Sequence, residues 1–119
     1  MEDAWFTDLA DELAQCLTDA EVCATACEQL LDEAAAHDPE VQHALVAALI
    51  APAAISRVLI DLIDQPPQLV LAACRLCHES CRAAAAELER LADRLDATSA
   101  LPALRATADS CEVLLAAAG

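Results

Sequence analysis

The fold this 119-residue chain predicts is all-α, an antiparallel up-down-up-down four-helix bundle. Three observations carry that expectation. Alanine and leucine dominate, with glutamate on the polar faces, and these are good helix formers. The single glycine is the last residue, Gly119, and aromatics are limited to Trp5 and Phe6, so the usual material of strands and hairpins is missing. Apolar residues also recur at steps of three and four in four successive stretches, which is the signature of amphipathic helices.

The first helix is expected over residues 7–37. Leu9, Leu13, Cys16, Ala20, Cys23, Cys27, Leu30 and Ala34 form one inward stripe. Thr18 to Glu21 resembles a capping box and marks a place where this helix would break if it breaks at all. The second helix is expected over residues 39–64. Asp38 is placed to cap it, and Pro39 occupies the first helical position, where its missing N–H costs nothing. Its stripe reads Leu45, Ala48, Pro52, Ile55, Leu59 and Leu62, and Pro52 should bend it. Val46, Leu49, Ile50, Ile60 and Ile63 widen the apolar face, which suits either a fatter core or a subunit interface. Gln65-Pro66-Pro67 separates it from a third helix over residues 67–95, with Val70, Cys74, Cys77, Cys81, Ala84, Leu88, Leu91 and Leu95 inward. The fourth, over residues 100–117, turns Leu101, Leu104, Ala108, Cys111 and Leu115 inward. Short links between amphipathic helices favour antiparallel neighbours, and residues 1–119 read as a single domain.

Composition removes several functions. Apolar residues make up 58% of the chain, which excludes intrinsic disorder. A formal charge of −15, with six arginines and no lysine, argues against nucleic acid and against anionic membrane surfaces. Met1 to Phe6 lacks the basic and apolar regions of a signal peptide. The longest strongly apolar run, residues 44–55, contains Pro52 and is short for a bilayer span. A cytoplasmic protein with no membrane partner is expected.

The seven cysteines are the chemically informative residues. Their odd number and the reducing compartment argue against a disulfide framework. Cys16, Cys23 and Cys27 lie on the first stripe, Cys74, Cys77 and Cys81 on the third, and Cys111 on the fourth. Running the helices up and down brings all seven to one band, with the second helix closing it by apolar groups. Helical neighbours three or four apart stack on one face with Cβ atoms about 5–6 Å apart. Two such thiolates can clamp one ion. Cu(I) is soft and favours thiolates, whereas zinc wants four ligands in a tetrahedron and is the weaker candidate. A buried free cysteine also serves as a small apolar residue, so a metal-free structural or protein-interaction bundle stands as the alternative. His78 lies between Cys74 and Cys81 and is placed either as an auxiliary ligand or as an exposed polar residue. Cys74-Arg-Leu-Cys77 sits too deep in its helix for thioredoxin-like redox work. The acidic residues do not form the paired inward pattern of a di-iron site, and no catalytic site is expected.

Two segments, Cys23-Ala-Thr-Ala-Cys27-Glu and Ala73-Cys74-Arg-Leu-Cys77-His-Glu-Ser-Cys81-Arg, resemble the four-helix-bundle copper storage proteins of the cysteine-rich cytosolic type. The stretch from Leu31 through His37-Asp-Pro-Glu is similar too, and the likeness extends over residues 9–117. The resemblance implies Cu(I) held in the bundle core for storage or buffering, without catalysis. It implies Cys23 with Cys27, and Cys77 with Cys81, as same-helix clamps, with Cys16, Cys74 and Cys111 extending the cluster. It also implies a homo-oligomer, dimer or tetramer. Helix two carries no cysteine here, unlike the family pattern, which points to a small cluster for buffering rather than a large store.

Overall fold

The computed structural model describes residues 8–119. Thr7, where the sequence places the first helix start, and Trp5 and Phe6 lie outside the described residues. Four helices follow in order: α1 (Ala10–Asp32), α2 (Pro39–Asp61), α3 (Pro67–Arg90) and α4 (Ala100–Ala118). Each packs on its neighbour in the chain, and α4 closes on α1. The result is the closed up-down-up-down bundle that the periodicity predicts.

Local chemistry sets the boundaries. Asp38 caps α2 as expected, its carboxylate accepting the Val41 N–H at 3.0 Å, with Pro39 in the first turn. Arg94 reaches back from beyond α3 and bridges Asp38 at 3.0 Å and Glu40 at 2.8 Å. That contact ties the α3–α4 connection to the start of α2. No break occurs near residue 18: α1 runs on, and Thr18 donates its hydroxyl to the Ala14 carbonyl at 3.0 Å.

Three helices end sooner than periodicity predicts. The first stops at Asp32 and yields to a 3₁₀ turn, Ala34–Ala36. The second stops at Asp61 rather than residue 64. The third stops at Arg90 rather than residue 95, where the Leu91 N–H is shared between the Glu87 and Leu88 carbonyls. Leu91 and Leu95 stay buried after the helix has ended. Turns can keep a helical apolar spacing in the core, so the stripe overruns the helix.

The stripes of α1 and α3 are buried as the sequence predicts, from Leu9 to Ala34 and from Val70 to Leu95. The inner faces of α2 and α4 are rotated from the expected ones. In α2 the buried set is Val41, Leu45, Leu49, Pro52, Ala53, Ser56 and Leu59, while Ala48, Ile55 and Leu62 are only partly covered. In α4, Thr107 and Leu114 are buried while Leu101 and Leu115 lie at the margin. Both helices offered several apolar faces of similar strength, and packing against the sharply defined stripes of α1 and α3 chose among them. The structure also makes α2 a 23-residue helix long and apolar enough to cross a bilayer, in contrast to the shorter run read from the sequence. In the bundle its inner face packs on α1 and α3, and Arg57 pairs with Glu28 of α1 at 2.7 Å. Val46, Ile50 and Val58 remain exposed on its outer face.

Candidate metal centre

All seven cysteines are free thiols, and each is fully buried. Helix geometry explains their convergence. Cys16 and Cys23 are two turns apart on α1, and Cys74 and Cys81 are two turns apart on α3, which runs parallel to it. The two ladders therefore stay level, and α4 returns to supply Cys111.

The thiols form a column. In its first layer Cys16, Cys74 and Cys111, one from each of three helices, place their sulfurs within 4.8 Å of one another. The closest pair is Cys16 to Cys111 at 3.5 Å. In the next layer Cys81 Sγ lies 3.9 Å from both Cys23 and Cys77. Cys27 continues the α1 ladder one turn further. These spacings are well beyond a disulfide bond of about 2.05 Å. They suit sulfurs sharing a metal: with metal–sulfur bonds of about 2.3 Å, trigonal ligands stand about 4 Å apart. The tightest group offers three sulfurs, as Cu(I) accepts, rather than the four of tetrahedral zinc.

The sequence reading missed two polar residues of this band. Ser56 of α2 is fully buried, with its Oγ 3.7 Å from Cys77 Sγ. The expectation that α2 closes the site with apolar groups alone is therefore corrected. Ser56 lies four residues after Pro52 and three before Leu59, so a polar residue at stripe spacing was its available signal. Thr107 of α4 is also fully buried and donates its hydroxyl to the Ala103 carbonyl at 2.9 Å, with the Asp19 carbonyl of α1 at 3.0 Å. It seals the α1–α4 seam beside the thiols without leaving an unpaired polar atom.

His78 is half-buried, and its Nδ1 lies 3.0 Å from the Ala108 carbonyl of α4. A carbonyl only accepts, so Nδ1 carries a proton and donates it to this contact. Arg75 and Arg82 are exposed beside the stripe.

Packed thiols cannot all ionise together, since each new charge opposes the next. Cys23 is pulled down, first by the neighbouring Cys27 thiol and then by Cys81. Cys74 and Cys77 are pulled down, chiefly by Cys111. Their neighbours keep their protons. Cys27 and Cys81 are pushed up chiefly by Cys23, and Cys111 chiefly by Cys16. For Cys16 the Cys111 contact alone acts downward, but Cys74 and burial outweigh it and the thiol is pushed up. Thiols that donate S–H thus prepare neighbouring sulfurs as thiolate ligands.

Residues 9–116 match the protein-family model described as Csp, copper storage protein. No curated protein and no solved structure matches the chain.

Proposed function

The chain belongs to the copper storage protein family, and on that premise we propose that all seven core thiols hold Cu(I) as one stacked cluster of small capacity. Binding and buffering of Cu(I) through a thiolate cluster in the bundle core, without catalysis, is what family membership and the buried Cys16–Cys74–Cys111 group establish. The finer reading assigns Cys16, Cys74 and Cys111 to one site between helices. Cys23, Cys77 and Cys81 form a second site, and Cys27 extends it. His78 serves as an auxiliary ligand through Nε2, because its Nδ1–H is already held by a carbonyl, an arrangement that commonly orients metal-binding histidines.

The observation that carries the proposal is the convergence of three sulfurs from three helices inside 4.8 Å. Copper bound there crosslinks helices far apart in sequence, so binding energy becomes folding energy. The acidic exterior draws cations toward the bundle in a general way. We assign the protein to the cytoplasm, where its thiols stay reduced, and assign the exposed Val46, Ile50 and Val58 face of α2 to contacts between copies of the chain.

The test is an anaerobic Cu(I) titration of the reduced protein against a strong competing chelator, with C16A/C111A and C77A/C81A variants alongside. Several Cu(I) per chain held against the chelator, fewer in each variant, is the expected result. Wild-type capacity in both variants would overturn the assignment of these ligands.

A further inference from the structure

The thiol column is closed along the bundle axis. Past Cys27 the inward stripes continue as Leu30 on α1 and Leu88 on α3, with Leu45 facing them from α2, and all three are buried. Before Cys16 and Cys74 the positions are Leu13 on α1, Val70 on α3 and Leu114 on α4, likewise buried. Buried apolar side chains cap the column at both ends and obstruct lengthwise travel of an ion and its ligand.

The side of the bundle differs. A surface cleft of about 340 Å³ opens between α3 and α4, and Cys81 forms part of its lining. The residues beside Cys81 in that lining are small, Ala85 and Ala86 on α3 and Ala108 on α4, and Cys81 itself is fully buried behind the cleft surface. Ala108 is also the residue whose carbonyl holds the His78 ring. Arg105 of α4 pairs with Glu89 of α3 across this cleft, and Arg82 and Asp109 stand at its rim. By contrast, the cleft beside α1 at Thr18 to Gln29 and the groove between α2 and α3 at Ala44 to Ala51 are lined by no cysteine.

We propose that this α3–α4 cleft is a lateral port for Cu(I), with Cys81 as the first core thiol to receive the ion and the last to release it. The proposal rests on the Cu(I)-binding function above. The incoming species is a small Cu(I)–thiolate complex, since the cleft is too small for a protein side and Cu(I) must travel ligated. Exchange is associative. The Cys81 sulfur forms a bond to copper, the carrier's sulfur–copper bond breaks, and the Cys81 proton leaves with the carrier as its free thiol. Copper remains Cu(I) throughout. From Cys81 the ion passes to Cys23 or Cys77, each 3.9 Å away. Two of the chain's six basic residues, Arg82 and Arg105, stand at this cleft. They offset the acidic exterior for a carrier that is itself anionic.

The test fills the cleft without touching a sulfur. Ala86 and Asp109 are exposed on opposite walls, so A86W and D109F are tolerable substitutions that obstruct it from α3 and α4 separately. T25W, in the cleft beside α1, is the control. Anaerobic stopped-flow records loading from Cu(I)–glutathione and stripping by bathocuproine disulfonate, and a separate equilibrium titration counts bound Cu(I). Expected are loading and stripping each slowed at least tenfold in A86W and D109F, unchanged rates in T25W, and the same capacity in all. Wild-type rates with wild-type capacity in both obstructed variants would overturn the port while leaving the copper function standing. Absence of tight Cu(I) binding in the unmodified protein would overturn both.

Discussion

Cys111→Ala removes one of the three sulfurs that converge from α1, α3 and α4, and its effect on the free and copper-loaded protein can be worked separately. In the free protein the loss is one fully buried sulfur. Taken as comparable to a buried methylene, that is about 0.8 kcal/mol of burial, with a small cavity term beside it. The melting temperature should fall by about 4 °C for each 1 kcal/mol at this chain length. With copper the loss is larger. Free Cu(I) buffered at about 100 times the dissociation constant stabilises a one-site protein by about 2.7 kcal/mol. Losing even an outer-sphere partner costs a metal site about 10–100-fold, so losing a ligand outright should cost at least about 100-fold. The same buffered copper then gives C111A only about 0.4 kcal/mol from this site. The copper-dependent rise in melting temperature should therefore shrink by roughly 8–10 °C beyond the drop in the free protein. Far-ultraviolet circular dichroism melts of both proteins, reduced and anaerobic, with and without chelator-buffered Cu(I), measure this directly. Equal copper-induced shifts in wild type and C111A would refute the three-sulfur site.

Ser56→Cys places an eighth thiol against Cys77, where the serine Oγ now lies at 3.7 Å; competition titration should find more Cu(I) held per chain than in wild type. Leu88→Ala opens a cavity in a fully buried position next to the thiol column and should cost about 2–5 kcal/mol in urea unfolding, with the number of Cu(I) bound unchanged. Cys16, Cys27, Cys81 and Cys111 are pushed up and keep their protons through the neutral range, so Cu(I) must expel those protons to bind. Affinity should weaken steadily as pH falls from about 8 to 6, by about tenfold per pH unit for each proton expelled. Cys23, Cys74 and Cys77 are pulled down and should add nothing to that slope; a pH-independent affinity in the same titrations would show that all the ligands start as thiolates.

The parts of this molecule that its sequence makes legible are those where one pattern has no rival. On α1 and α3 a stripe alternates between steps of three and four, the large apolar residues off it (Val22, Leu69 and Leu76 among them) are too scattered to form a second one, and every stripe residue named from the sequence is buried. The column of thiols follows from those two stripes, because parallel helices with cysteines seven apart stay level. On α2 apolar residues occupy nearly the whole circumference, so periodicity could not select a face. The inward position of Ser56 was lost in that ambiguity. The helix ends were legible where a side chain specifies them, as Asp38 and Pro39 do. They were misjudged where only apolar spacing was available, as at Leu91 and Leu95. The orientation of His78 depends on a carbonyl thirty residues away, and no local pattern encodes such a partner.

Confining the thiols to a band has an energetic consequence for how the protein can work. Each fully buried leucine beyond the band contributes about 1.5–3 kcal/mol of burial, and Leu45, Leu88 and Leu114 are fully buried there. A thiol in the same position buries less apolar surface and, if it ionises unpaired, costs stability. A bundle lined with cysteine from end to end would therefore depend on metal to hold its helices together, as small metal-folded domains do. Here the leucine layers supply a core that does not depend on copper, at the expense of places to put it. The two demands on a buffer, folding before the metal arrives and giving the metal back without unfolding, are met by the same division of the stripes: leucine at the ends for stability, cysteine in the middle for exchange.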